Sequence, residues 1–298
     1  IKKYKGLYEA RNYELFQEDL KDRGMADRGK DFFMASGKLQ AISYKHEMEM
    51  AFRTPLSAGF QMLGLNDYSG QGTALVGLLD SFWEEKGYID AKEFRQFCDS
   101  TVILTRFPKF VFQQNESIQI PVELFHFGQK ALSKAVIVWQ IVNSEGKTVQ
   151  AGEFQSADYA IGNNLPVGKI TFNPQQINQA QKLLLKASIK GSSIQNEWAF
   201  WVYPTTLPAV KSEEVYSCNS LDEKALQILE KGGKVFLQAA GKIERGKEVV
   251  NYLQPVFWNT SWFKMRPPHT LGFVCDPKHP AFQSFPTDFH ANVQWWEL

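Results

Sequence analysis

From Thr101 onward the hydrophobic pattern of this chain changes period, and that change limits the fold more than any other feature. Apolar residues recur at every second position in stretches 109–112, 116–124, 135–142, 168–172, 182–189 and 197–203. A period of two puts alternate side chains on one face of a strand, so each stretch has one face to bury. Turn-forming residues punctuate the stretches: Gln114-Asn115, then 143–146, 162–164 and 191–193. Short strands at this spacing with no long helix between them predict an immunoglobulin-like β-sandwich over residues 101–205.

Ahead of the sandwich the period is helical. Residues 7–23 carry Leu7, Tyr8, Leu15, Phe16 and Leu20 on roughly one stripe, and Gly24 supplies a stop. A second helix is expected over 26–52, through Phe32, Phe33, Leu39, Ile42, Tyr44 and Met48. Gly37 weakens it slightly. Pro55 ends it, because the residue before a proline is pushed out of the α region.

Between that helix and the sandwich lies AGFQMLGLNDYSGQG, residues 58–72. Phe60, Met62, Leu63 and Leu65, set around Gly59 and Gly64, have the pattern of a short strand buried on both faces. The polar turn that follows holds Asn66, Asp67, Tyr68 and Gln71. A buried strand with such residues at its C-terminal end is similar to the last βα unit of a (β/α)8 barrel, where strand ends line the active site. Residues 74–83 are expected to form a loop and then a helix through Trp83, and Asp90 is the expected N-cap of a helix over 91–98.

After a linker at 204–208 (PTTLP) the pattern is strand 214–217, helix 221–231 capped by Ser220, a Gly232-Gly233 stop, and strand 234–238. That βαβ succession predicts a small α/β domain over 206–298, flavodoxin- or amidotransferase-like. Further strands are expected at 271–274 and 256–258, and a short helix at His279-Pro280. The fold class is therefore multidomain, α/β plus all-β: the end of a barrel over 1–100, a sandwich, and a small α/β domain.

Charge excludes some partners. With 33 basic and 32 acidic residues the net charge is +1, which argues against a dedicated nucleic-acid or anionic-membrane surface. No run of about 20 apolar residues predicts membrane insertion. Cys98, Cys218 and Cys275 lie too far apart to suggest zinc or a disulfide framework. His46-Glu47 opens a zinc-type HExxH pattern, but Met50 stands where the second histidine belongs. No phosphate loop, dinucleotide fingerprint or serine nucleophile motif is present, so neither a metal nor a cofactor is expected. The opening IKKYKG and closing WWEL look like the edges of a segment of something longer.

The turn at 66–71 has two readings. Amides and a carboxylate can bond sugar hydroxyls while Tyr68 stacks on or borders a ring; equally, Asn-Asp and Ser-Gly are turn formers that cap a loop. The aromatic tail, 257–269 and 285–296, would make a second sugar or protein contact, or else pack domains together.

The phrase SGKLQAISYKHEMEMAFRTPLSAGFQMLGLNDYSGQGTALVGLLDSFWEEKGY (36–88) resembles the end of the catalytic barrel in bacterial family-two glycoside hydrolases, relatives of β-galactosidases, β-glucuronidases and β-mannosidases. The tail HPAFQSFPTDFHANVQWWEL (279–298) resembles a later region of the same proteins. The resemblance implies retaining hydrolysis of β-linked sugars by two glutamates placed before the eighth strand, hence upstream of residue 1. No catalytic residue is then carried by this chain. It implies a carbohydrate substrate, with Asn66, Asp67, Tyr68 and Gln71 lining the sugar pocket. It also implies a periplasmic or extracellular location. A lone eighth strand leaves apolar faces bare, so the expected partner is either the missing part of the barrel or a second copy of the chain. The alternative is a non-catalytic carbohydrate-binding or scaffolding module.

Overall fold

The computed structural model describes residues 2–5, 9–57, 59–206, 214–242, 244, 251–252, 269–270 and 272–297. The fold mixes helices with a predominantly β portion, and the chain divides into two compact units: residues 1–204 with 271–298, and residues 205–270.

Helices α1 (Arg11–Asp22) and α2 (Gly29–Arg53) are joined by one 3-10 turn. Thr54 is extended at φ −77°, ψ 118°, as a residue before proline must be, and α2 stops there. Gly37 is buried on α2 for a steric reason. A Cβ at this position would lie 2.1 Å from the ring of Tyr88, whose hydroxyl donates to Gln40 at 2.7 Å. Helix α3 (Ala91–Arg95) is capped as expected, with the Glu93 N–H donating to Asp90 Oδ1 at 2.7 Å.

The sandwich begins with β1 (Thr101–Thr105), β2 (Val111–Gln113), β3 (Ile118–His126) and β4 (Leu132–Ala135). It continues with β5 (Ile137–Asn143), β6 (Thr148–Glu153) and β7 (Ala157–Tyr159). It ends with β8 (Gly162–Phe172), β9 (Gln181–Ile189) and β10 (Gln195–Tyr203). A three-stranded sheet runs β1-β3-β8 and a five-stranded sheet runs β2-β10-β9-β5-β6, while β4 pairs with β7. Only the β2–β10 pairing of the five-stranded sheet is parallel. Alternation does what the sequence demands: Leu183, Leu185, Ala187 and Ile189 of β9 are buried, with less buried residues between them. They share one core with Ile120, Leu124 and Ile170 of the other sheet, each leucine and isoleucine contributing about 1.5–3 kcal/mol by leaving water.

A buried polar cluster joins α2 to the sandwich. Glu49 is 1% exposed, and its carboxylate accepts from Lys45 Nζ at 2.6 Å, Asn196 Nδ2 at 2.9 Å and Trp198 Nε1 at 3.0 Å. Burial alone would raise the Glu49 pKa, but Lys45 and the Trp198 donor outweigh it and hold the carboxyl below its usual range. Nearby, Arg53 donates to the Thr105 carbonyl at 2.8 Å.

Two expected elements do not form. Residues 59–65 make no strand, and Phe60, Leu63 and Leu65 are exposed, Leu63 at 91%. A strand needs a hydrogen-bonded neighbour along its length, and within the described residues this stretch finds backbone partners only at its end, where the Leu65 carbonyl accepts from the Leu78 and Leu79 N–H groups at 2.9 and 3.0 Å. The helix expected through Trp83 is replaced by turns and isolated bridges, Tyr68 to Ala74 and Leu79 to Glu85. No closed barrel is present among the described residues.

The second unit holds a parallel pair, β11 (Val215–Cys218) and β12 (Lys234–Leu237), linked by α4 (Glu223–Glu230), and a two-residue parallel pair, β13 (Asn251–Tyr252) with β14 (His269–Thr270). The cap of α4 is Asp222, whose Oδ1 accepts from the Ala225 N–H at 2.8 Å, instead of Ser220. The strand expected at 256–258 lies outside the described residues.

Residues 271–298, expected with the α/β domain, group instead with the first unit. The physical reason is Trp201, a fully buried ring on β10 whose indole N–H donates to the Pro286 carbonyl at 2.7 Å. Lys182 of β9 pairs with Asp288 at 2.7 Å, and Gln294 bonds the Tyr203 hydroxyl. In place of a strand at 271–274 there is one bridge, Val274 to His290, and the short helix after His279 is a 3-10 turn, Pro280–Phe282.

Candidate functional site

Asp67 organises the loop that the sequence singles out. Its Oδ1 accepts from the Gly77 N–H at 3.0 Å and from Lys86 Nζ at 2.7 Å, and its Oδ2 accepts from the Tyr13 hydroxyl at 3.2 Å. Lys86 also donates to the Gly77 carbonyl at 2.7 Å. Burial, then the Asp67 charge, pushes the Tyr13 hydroxyl pKa well above its ordinary value. The carboxylate is enclosed and bonded on both oxygens, and in this fold it holds the loop.

The next three residues take an unusual path. Gln71, Gly72 and Thr73 have φ values of 56°, 67° and 65°, three successive residues in the left-handed region. For non-glycine residues that costs about 1–2 kcal/mol each, so something must hold them there. The start of α1 does so. Asn12 donates its backbone N–H to the Gly72 carbonyl at 2.9 Å and its side-chain amide to the Thr73 carbonyl at 2.8 Å and the Gln71 carbonyl at 3.2 Å. Thr73 Oγ1 donates to the Glu9 carbonyl at 2.9 Å.

What this clasp presents is Tyr68 and Gln71. Tyr68 is 58% exposed, and its ring lies over Gly70 so closely that a Cβ there would be 2.5 Å from it. Gln71 is exposed beside it. Asn66 is half-buried and spends an amide proton on the Asp67 carbonyl at 3.1 Å. The loop therefore offers a fixed aromatic face and a side-chain amide, groups suited to stacking and hydrogen bonding. Its only carboxylate between Asn66 and Gly72 is occupied within the fold.

His46 is packed edge-on against Phe110 at 5.2 Å and Trp296 at 5.0 Å between ring centroids. Burial pushes its pKa down to about 4. It clamps α2 to the tail. Among the described residues no group of three or more His, Cys, Asp or Glu is placed to hold a metal ion, and no helix is long and apolar enough to cross a membrane.

Sequence reasoning overlooked Glu49. The signal was present, since Lys45, Glu49 and Arg53 recur at intervals of four along one helix face.

Residues 216–298 match a family described as a domain of unknown function (DUF8487), and residues 116–204 match a second such family (DUF8488). No curated protein matches the chain. Among solved structures the chain is similar to a β-glucuronidase of Parabacteroides merdae with glycerol in its active site, at 12% identity and a TM-score of 0.26, over 35% of this chain and 14% of that one. It is similar to the alkylpurine DNA glycosylase AlkC of Pseudomonas fluorescens bound to DNA containing an abasic-site analogue, at 11% identity and a TM-score of 0.28, over 35% of this chain and 30% of that one. A CARDB domain of PF1109 from Pyrococcus furiosus is matched at 12% identity and a TM-score of 0.26, over 35% of this chain and 94% of that one. The chain thus spans under a third of the length of the first two, and similarity at this level assigns no activity.

Proposed function

We propose that this chain is a non-catalytic portion of a retaining glycoside hydrolase acting on β-linked sugars, supplying a pocket rim, an immunoglobulin-like sandwich and an accessory α/β domain. The observation that carries the reading is the clasped turn: Tyr68 fixed over Gly70 with Gln71 exposed beside it, directly after an apolar stretch in which Phe60, Leu63 and Leu65 stay exposed. The resemblance of 36–88 and 279–298 to family-two hydrolases supplies the reaction class. In this reading residues 59–65 become the eighth barrel strand once neighbouring strands pair with them, and the partner is the rest of that barrel. Tyr68 stacks on a sugar ring, while Gln71 and Asn66 bond its hydroxyls. The catalytic pair, two carboxyls about 5–5.5 Å apart, lies outside these 298 residues. The location proposed is periplasmic or extracellular.

A second reading, a carbohydrate-binding or scaffolding module of a protein without hydrolytic activity, is favoured by the internal engagement of Asp67. Titration of the chain with methyl β-glycosides by calorimetry, together with nitrophenyl β-glycoside turnover, tests both. The expected result is binding that Tyr68→Ala abolishes, and no turnover. Rapid turnover by this chain alone overturns the placement of the catalytic pair, and failure to bind any glycoside overturns the rim. The same turnover assay on the longer protein separates the two readings.

A further inference from the structure

A groove of about 770 Å3 runs between α3 and the five-stranded sheet, away from the Tyr68 turn in the sequence and unconnected with its chemistry. Its floor is set by register. Gln140 of β5 pairs with Lys186 of β9, and Lys186 pairs with Glu197 of β10, so three polar residues stand in a row across three strands. Directly paired residues in a sheet stand about 4.5–5.5 Å apart, so the row is a ladder of evenly spaced donors and acceptors. A second row, two residues along the strands, brings Val138 and Gln195 to either side of Ser188. Glu93 and Gln96, on and just after α3, face this floor from the opposite wall.

We propose that this groove binds an uncharged polyhydroxylated chain, an oligosaccharide, separately from the Tyr68 turn. Three features select that class. The amides of Gln140, Gln195 and Gln96 and the Ser188 hydroxyl each donate and accept, as a sugar hydroxyl requires. The charges on the walls oppose one another: Asp90, Glu93 and Glu197 against Lys92 and Lys186, with Lys186 and Glu197 3.8 Å apart. Lys38 pairs with Glu93 at 3.2 Å as well, so the two signs balance and neither a polyanion nor a polycation gains a net attraction. Where the groove crosses them, β5 and β9 are paired on both sides and β10 on its β9 side, so an extended peptide lying across the floor finds their backbone groups taken. The floor is rigid, since its strands are fixed by the core beneath, so little ordering is lost on binding.

The inference stands apart from the hydrolase reading, and its test is arranged to show that. The intact chain is titrated with neutral β-linked hexasaccharides by calorimetry, in parallel with Gln140→Ala, with Lys186→Met/Glu197→Gln, and with Tyr68→Ala. Lys186 and Glu197 are exposed enough that their joint replacement leaves the melting temperature in place. The expected outcome is hexasaccharide binding weakened at least tenfold by either groove variant, with the Tyr68→Ala protein still binding through the groove. Absence of hexasaccharide binding, or binding indifferent to both groove variants, overturns the proposal. Tighter binding of an anionic oligomer than of the neutral one overturns the ligand class. None of these outcomes depends on turnover, so loss of the groove leaves the hydrolase reading standing, and the converse holds.

Discussion

Lys86 Nζ lies 2.7 Å from Asp67 Oδ1, and the two side chains are 5% and 0% exposed. A buried pair of this kind is costly to halve, because the remaining charge keeps its desolvation penalty without its partner. Asp67→Leu should therefore destabilise the first unit by about 3–5 kcal/mol in urea unfolding. Asp67→Leu combined with Lys86→Met should recover much of that loss. A single variant costing under about 1 kcal/mol would mean the pair is not buried as described.

Gly37 inverts the usual helix rule. In an exposed helix interior Gly→Ala gains about 0.5–1 kcal/mol, but here the added methyl meets the Tyr88 ring at 2.1 Å. Gly37→Ala is expected to lower stability by about 1–3 kcal/mol, the usual cost of overpacking. Gly37→Ala in a Tyr88→Leu background should lose most of that penalty, as a thermal-melting cycle will show.

The acid limb of stability should carry a histidine signature. His46 stays neutral in the folded protein down to about pH 4, because it is buried against Phe110 and Trp296. The unfolded chain takes up that proton near its ordinary value of 6.5. Between those values the unfolded state binds more protons, so stability falls as pH falls through the window. The loss is at most about 3 kcal/mol, at 1.36 kcal/mol per unit. His290, whose pKa burial also lowers, adds in the same direction. Unfolding free energies of His46→Leu between pH 7 and 4 should decline less steeply than those of the parent chain.

Gly70→Ala tests the aromatic platform without replacing a polar side chain. The new Cβ would fall 2.5 Å from the Tyr68 ring and displace it. Glycoside affinity should drop as far as it does in Tyr68→Ala, while the melting temperature moves by only a few degrees. Unchanged affinity would remove Tyr68 from the binding surface.

Uncovered apolar groups in the first unit should make the chain self-associate. Leu56, Leu63 and Trp83 are each exposed by more than half, and such groups favour association when nothing covers them. Sedimentation at rising protein concentration should show reversible association that Leu63→Ser with Trp83→Ser reduces.

The sandwich was legible because burial on one face leaves an alternation that no other structure explains, as in Leu183, Leu185, Ala187 and Ile189. The helix stop at Pro55 and the cap at Asp90 were legible because each rests on local chemistry of a few neighbouring residues. Residues 59–65 were misread because alternation records a face wanting burial, whereas a strand also needs a partner that the pattern cannot supply. Ala74 to Trp83 were misread because their apolar residues serve bridges and turns around Asp67, a long-range arrangement with no period. At the candidate site, the residue types were visible but their roles were not. Nothing local distinguishes Asp67, turned inward to Lys86, from Tyr68, turned out over Gly70. Of the tail aromatics, those at 285–296 pack within the fold, with Phe285 and Trp295 rings 4.7 Å apart, in the unit that holds the sandwich; residues 257–268 lie outside the described residues.

The chain leaves its first unit at Pro204 and rejoins it at residue 271. The intervening 205–270 is thus an inset anchored at both ends, not a terminal appendage. A protease that nicks this inset severs the backbone without shedding either flank, since Asp288 still grips Lys182 across the break. A cut between residue 271 and Pro286 instead separates the Trp201 indole from the carbonyl it donates to, with the inset left whole. Any attempt to dissect this protein must therefore excise the inset and splice its borders together.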